Sequence, residues 1–256
     1  MLTLGLDPSL TNFGWALNDS DAEGKARCPE KGRFHTSSKT LFVARYMDLR
    51  ESLRALLRRL KPDAVSSESS VFGELYSEGM YGLFLYVCEA CYLEGVNLVL
   101  FTPPQLKAHA RLSLDRPTVN GRLWKMHKGD MAEAAREHCG GKGRIWASDE
   151  ADAYWAAVAG GRFWLRLDGV LEDDDLTTVE RKQFARIHTY SRGKKSGETE
   201  KTGLLYKEDE RYFIWAEGDK RDGDQEDNDQ EEARQEEGSQ RSPEGSGGHH
   251  QGSEGR

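Results

Sequence analysis

Cysteine is scarce in this 256-residue chain, and its four thiols, Cys28, Cys88, Cys91 and Cys139, follow no repeat. That excludes the evenly spaced disulfide framework of a small secreted domain, and a chain of this length has core enough not to need one. Cys88-x-x-Cys91 sits inside an apolar helical stripe with no second pair, so it reads as core packing. His127, His138 and Cys139 likewise lack the paired spacing of a zinc site. Long hydrophobic runs are missing too. No window approaches the ~20 apolar residues of a membrane span, and no apolar leader precedes the first strand, so an intracellular protein is expected. Aromatic residues end at Trp215. Beyond it Gly, Ser, Gln, Glu and Asp dominate, a composition that builds no core and predicts disorder.

The net charge of -8 is not spread evenly. Residues 217–256 hold 13 acidic and 5 basic residues, which leaves 31 of each in residues 1–216. Within that balanced body, residues 105–144 carry 9 Lys/Arg against 4 Asp/Glu. Charge alone reads this stretch as a solvated helical face; beside a phosphate-handling site it becomes a nucleic-acid surface.

Apolar runs at 2–7 and 13–17, separated by Asp7-Pro8-Ser9 and Thr11-Asn12, predict a strand pair, and GRFHTSS a third strand of the same meander. Phe42, Tyr46, Leu49, Leu53, Leu56, Leu57 and Leu60 recur at helical spacing until Lys61-Pro62. DAVSSE (63–68) fits a buried strand ending in Glu68. A helix over 77–94, a strand over 96–101, a short helix over 105–112, a basic loop over 113–127 and a helix over 128–138 follow. SDEADAYWAAVAGG opens on Ser148 with acids in its first turn, and Gly160-Gly161 is expected to stop it. This order predicts an α/β domain over 1–165: a mixed five-stranded sheet, antiparallel meander plus parallel strands, flanked by helices. Residues 166–216 read as a charged extension with a small hairpin at 203–217, and 217–256 as an acidic tail.

Four acids stand out by position. Asp7 and Glu68 end strands, while Asp149 and Asp152 open the last helix three residues apart and so share a face, from which Glu150 points away. Taken singly, each has a structural explanation: an Asx turn at Asp7, strand-end polarity at Glu68, dipole complementation at Asp149. Together they make an oxygen-only donor set suited to a hard divalent ion, and two such ions activate water for phosphodiester hydrolysis.

LGLDPSLTNFGWAL, SSESSVF, FTPPQLKAHA, HKGDM and SDEADAYWAAVA together resemble the motifs of RuvC-type Holliday-junction resolvases over residues 1–160. The resemblance implies an RNase H-like fold, a homodimer in the cytoplasm of a bacterial or phage-infected cell, and Mg²⁺- or Mn²⁺-dependent nicking of four-way or other branched DNA. It implies Asp7, Glu68, Asp149 and Asp152 as ligands of two ions, and Lys107 and Lys128 beside the scissile phosphate. Phe72 or Tyr76 matches the family's junction-opening aromatic. Arg111, Arg116, Arg122, Lys125 and Arg144 are candidate phosphate contacts on the duplex arms. No membrane or nucleotide cofactor is expected. Two other readings compete: a non-catalytic branched-DNA binding protein of the same fold, and an actin-like or sugar-kinase-type ATPase, whose phosphate loop also resembles G-x-D-P-S.

Overall fold

A computed structural model describes residues 1–21, 26–69, 78–114, 126–139, 145–184, 187–189, 199–201, 204–208 and 212–215. The side chains of Ala26, Glu78, Lys128 and all residues past 184 lie outside that description. Everything described belongs to the unit Met1–Gly218.

Strand β1 (Leu2–Asp7) alternates strictly. Leu4 and Leu6 are fully buried on one face with Phe13, Trp15 and Leu17 of β2 (Asn12–Ser20), its antiparallel partner. Thr3 and Gly5, both small, take the opposite face. The two-residue β3 (Ala26–Arg27) and β4 (Lys31–His35) both pair with β2. On the other side of β1, β5 (Ala64–Glu68) runs parallel to it, and β6 (Asn97–Phe101) runs parallel to β5. The predicted mixed five-stranded sheet is therefore present. A hairpin of β9 (Leu204–Glu208) and β10 (Tyr212–Trp215) extends it, with Leu205 and Leu204 paired to Leu98 and Val99. β7 (Ile187–Thr189) and β8 (Thr199–Lys201) form a separate two-stranded sheet.

Each sheet face carries its own core. On the Leu4/Leu6 face lie α1 (Phe42–Leu60), burying Leu49, Leu53, Leu56 and Leu57, and α2 (Glu78–Glu94), burying Leu83, Val87 and Cys91. Pro62 disfavours a helical Lys61, which adopts a left-handed conformation with φ of 46° and ends α1. On the other face lie α3 (Pro103–Ala110), α4 (Lys128–His138) and α5 (Ser148–Leu167).

α5 corrects one expectation, because it runs through Gly160-Gly161 to Leu167. These glycines serve close approach and not termination. A Cβ at Gly160 would lie 2.3 Å from that of Ser66, and one at Gly161 would lie 3.0–3.2 Å from Ser20, Asn18 and Thr3. The sheet answers with small residues of its own: a Cβ at Gly5 would lie 1.9 Å from the Ala153 carbonyl oxygen. Glycine on both surfaces lets the helix backbone sit directly on the strands.

Candidate active site

Strand phase decides where the first two acids lie. Asp7 continues the series Thr3, Gly5, and Glu68 the series Ala64, Ser66, so both belong to the face that α5 covers. Register decides how close they come. Leu6 pairs with Ser67 across the parallel β1–β5 ladder, so the two carboxylate residues end neighbouring strands at the same sheet edge. At this edge Asp7 and Glu68 also line one small pocket with Pro8 and with Met80 and Phe84 of α2, the helix of the opposite face, so the strand ends are reached from both sides of the sheet. Ligands of open α/β sheets bind at this kind of place, outside the carboxyl ends of parallel strands.

The helix-borne acids approach from above β2. Gly14 is paired with Asp7, and a Cβ on Gly14 would fall 2.1 Å from the carbonyl oxygen of Asp149. The first turn of α5 thus rests one strand away from Asp7, with Asp152 a turn further along the helix. Asp7, Glu68, Asp149 and Asp152 are all partly exposed, so the edge is open to solvent. Among the described residues, no three His, Cys, Asp or Glu side chains converge closely enough to enclose an ion. The structure brings Asp7 and Glu68 together on a pocket wall and sets the α5 pair beside them without closing a triad. The donor chemistry, oxygen throughout and anionic, fits a hard divalent cation.

Glu150 is engaged elsewhere, as its helical position requires. It forms an ion pair with Lys31 of β4, and its Oε2 accepts from the Ala147 N–H at 3.3 Å. Lys31 also donates to the Ile145 carbonyl at 2.9 Å and stands 4.8 Å from the Trp146 ring centroid, tying the approach to α5 onto the sheet.

Lys107 sits half-buried on α3, which leaves the sheet immediately after Phe101, the residue paired with Glu68. The α3 N-terminus is held by Gln105, whose Oε1 accepts from the Thr102 N–H at 2.7 Å. Arg111 follows on the next turn, half-buried. Lys128 is the first residue of α4, with its side chain outside the described set; Asp130 caps that helix by accepting from the His127 N–H at 2.6 Å. Phe72, Tyr76, Arg116, Arg122, Lys125 and Arg144 lie outside the described residues.

One neighbour escaped the sequence reading. Arg33 on β4, with 45% of its side chain exposed, places Nη1 3.9 Å from Asp149 Oδ2. The alternation in KGRFH carries its signal, since Lys31 and Arg33 share the face opposite Phe34. Only the pairing of Gly14 with Arg33 sets that face against α5.

No family model matches the chain. Over 110 residues it is 33% identical to the crossover junction endodeoxyribonuclease RuvC of Gloeobacter violaceus, covering 42% of this chain and 62% of that protein. It is 32% identical over 74 residues to the same-named protein of Chloroflexus aggregans, covering 29% and 44%. The chain thus matches less than two thirds of the length of these curated relatives. A solved structure of Thermus thermophilus RuvC superposes with a TM-score of 0.53 at 22% identity, over 66% of this chain and 98% of that one. Its complex with a Holliday junction substrate superposes equally well, at 21% identity over the same shares. In its motifs and in its RNase H-like fold, the chain is similar to the RuvC-type Holliday-junction resolvases.

Proposed function

We propose that the protein is a divalent-metal-dependent endonuclease that nicks four-way or similarly branched DNA as a homodimer. The observation that carries this reading is the pairing of Asp7 and Glu68 on one pocket at the ends of adjacent parallel strands, in a chain similar to RuvC. Asp7 and Glu68 are the first donors to Mg²⁺ or Mn²⁺, with Asp149 and Asp152 completing a site for two ions. Bound there, the metal supplies a water nucleophile at neutral pH and neutralises charge on the leaving oxygen. The chain's own residues do the rest. The carboxylates hold the site's geometry, Lys107 and Lys128 offset the negative charge that builds on the phosphate, and Arg111 with the basic segment that follows it holds duplex arms through their backbones.

The test is cleavage of a synthetic four-way junction with Mg²⁺ or Mn²⁺ by the wild-type chain and an Asp7→Asn variant. The reading expects nicks from the wild type, none after chelation, and none from the variant. Normal nicking by Asp7→Asn overturns the site. Tight junction binding without cleavage under every metal condition replaces the enzyme with a binding protein of the same fold.

A further inference from the structure

The segment that follows α5 folds back onto α3. After Leu167 the chain turns through Gly169, whose φ is +73°, and forms α6 (Thr178–Gln183). Glu180, at 1% exposure, is the pivot. Its carboxylate accepts from both Nε and Nη2 of Arg162 on α5, the latter at 3.2 Å, and from the Thr177 N–H at 2.8 Å. Its Oε1 stands 3.8 Å from His109 Nε2. Three residues later in the same helix, Gln183 donates from Nε2 to the Gln105 carbonyl at 2.9 Å. Phe184 then packs its ring 6.3 Å from Phe101 and 5.7 Å from Phe163. Arg162 also donates to the Asp175 carbonyl at 2.8 Å, so the whole return is bound to α5 as well.

Gln105 and His109 are the two α3 residues that α6 engages, and they are four apart, on one face of the helix. Lys107 lies midway between them in sequence, about 160° around the axis at 3.6 residues per turn. We propose that α6 is a brace on the back of α3, with Glu180 and Gln183 as positioning residues that set the direction in which Lys107 is presented at the carboxyl edge of the sheet. A helix of eight residues has little rigidity of its own and is marginal without tertiary support, so fixing its back face fixes its front. This inference rests on the proposed nuclease reading for the role of Lys107, but not for the existence of the brace.

The experiment uses the full chain and the variants Gln183→Ala, Glu180→Gln, Lys107→Ala and the double variant Gln183→Ala/Lys107→Ala. Hydrogen exchange is the first readout: α3 amides exchange faster in Gln183→Ala and Glu180→Gln, while the middle of α5 keeps its protection. Single-turnover nicking of a four-way junction is the second. Gln183→Ala slows the chemical step on the order of tenfold while leaving junction affinity within about twofold, because misplacement of a charge-stabilising group costs rate and not binding. In the Lys107→Ala background the same change has no further effect. Unchanged α3 exchange overturns the brace, and losses that multiply with Lys107→Ala overturn its action through Lys107. A wild-type chain inert on every junction fails the nuclease reading instead, and the exchange measurement then decides the brace by itself.

Discussion

Asp149 rests its backbone on Gly14: a single methyl group on that glycine would come within 2.1 Å of the Asp149 carbonyl oxygen. Since Gly14 is also the cross-strand partner of Asp7, one glycine fixes the spacing between the strand-borne and helix-borne acids.

Gly14→Ala therefore lifts the first turn of α5 away from β2. The cost in stability is about 1–3 kcal/mol, the usual range for overpacking, read from urea unfolding. If the chain nicks DNA as proposed, the larger effect is on nicking, which falls by roughly 100-fold because a displaced metal-holding group is poorly compensated. Gly5→Ala strikes the interior of the same interface, against Ala153 and Ala157, and destabilises more than Gly14→Ala does.

The two neighbouring acids Asp149 and Glu150 separate by role. Asp149→Asn removes a proposed metal donor, and nicking with Mg²⁺ falls on the order of 100-fold or more with little change in melting temperature. Glu150→Gln breaks the pair with Lys31, in which both side chains are 13% exposed. It costs about 1–3 kcal/mol of stability, as expected for a charge-assisted hydrogen bond, and leaves the folded fraction active. Equal losses of activity from both substitutions sink this division.

The periodicity of α1 and the alternation of β1 and β2 were readable because each buries one face against a core that any apolar surface supplies. The strand-end places of Asp7 and Glu68 were readable for a related reason: each keeps the alternation of its strand but puts a carboxylate where the apolar run stops. The continuation of α5 past Gly160 was not, since two glycines stop a helix in water and sustain one only against partners as small as Thr3 and Ser66. Nor did local pattern place β9 beside β6, or α6 behind α3. Glu180 looks like a solvated helix acid until Arg162 and His109, distant in sequence, surround it.

Acid destabilises this arrangement, with a definite sign. Burial pushes the imidazoles of His109 and His138 below the ordinary value of 6.5, an effect that Glu180 opposes at His109 and Arg162 reinforces at both. Below pH 6.5 the unfolded chain binds protons that the folded one refuses, so the stability these sites contribute is complete above that pH and lost as it falls towards the folded values. Glu180 follows lower down. Burial raises its pKa, but hydrogen bonding to Arg162 together with the other nearby groups holds it below the ordinary 4.5, so its contribution is lost on further acidification. Urea midpoints measured from pH 7.5 to 4.5 decline, and a His138→Gln variant flattens the slope. A pH-independent midpoint contradicts the assignment.

The two α2 thiols pack against the core, Cys91 within it and Cys88 partly buried beside it. Burial raises Cys88 to about 12 and Cys91 further still, with Cys91 fully enclosed on α2. Under native conditions both react with iodoacetamide far more slowly than an exposed thiol, and denaturant releases them. Rapid native alkylation of Cys91 shows the α1–α2 layer to be open.

The proposed homodimer has a candidate surface on that same layer. Leu41, Val43 and Met47 at the start of α1 and Tyr81 and Leu85 on α2 are exposed, Val43 by 69%. The two groups are held side by side, because Tyr46 donates its hydroxyl to the Gly79 carbonyl and Phe42 packs its ring edge-on against Tyr46 at 4.7 Å. Exposed apolar side chains held near one another in this way are a candidate contact surface for the proposed homodimer. Val43→Glu/Leu85→Glu weakens self-association by about 30-fold or more in sedimentation equilibrium, the scale of losing an interface hot spot. Leu93→Glu, near the far end of α2, serves as the control and leaves association intact. On the proposed reading each monomer of the dimer nicks one strand of the junction, so the double variant gives single nicks where the dimer gives paired ones. A double variant that still sediments as a dimer moves the interface away from α1 and α2.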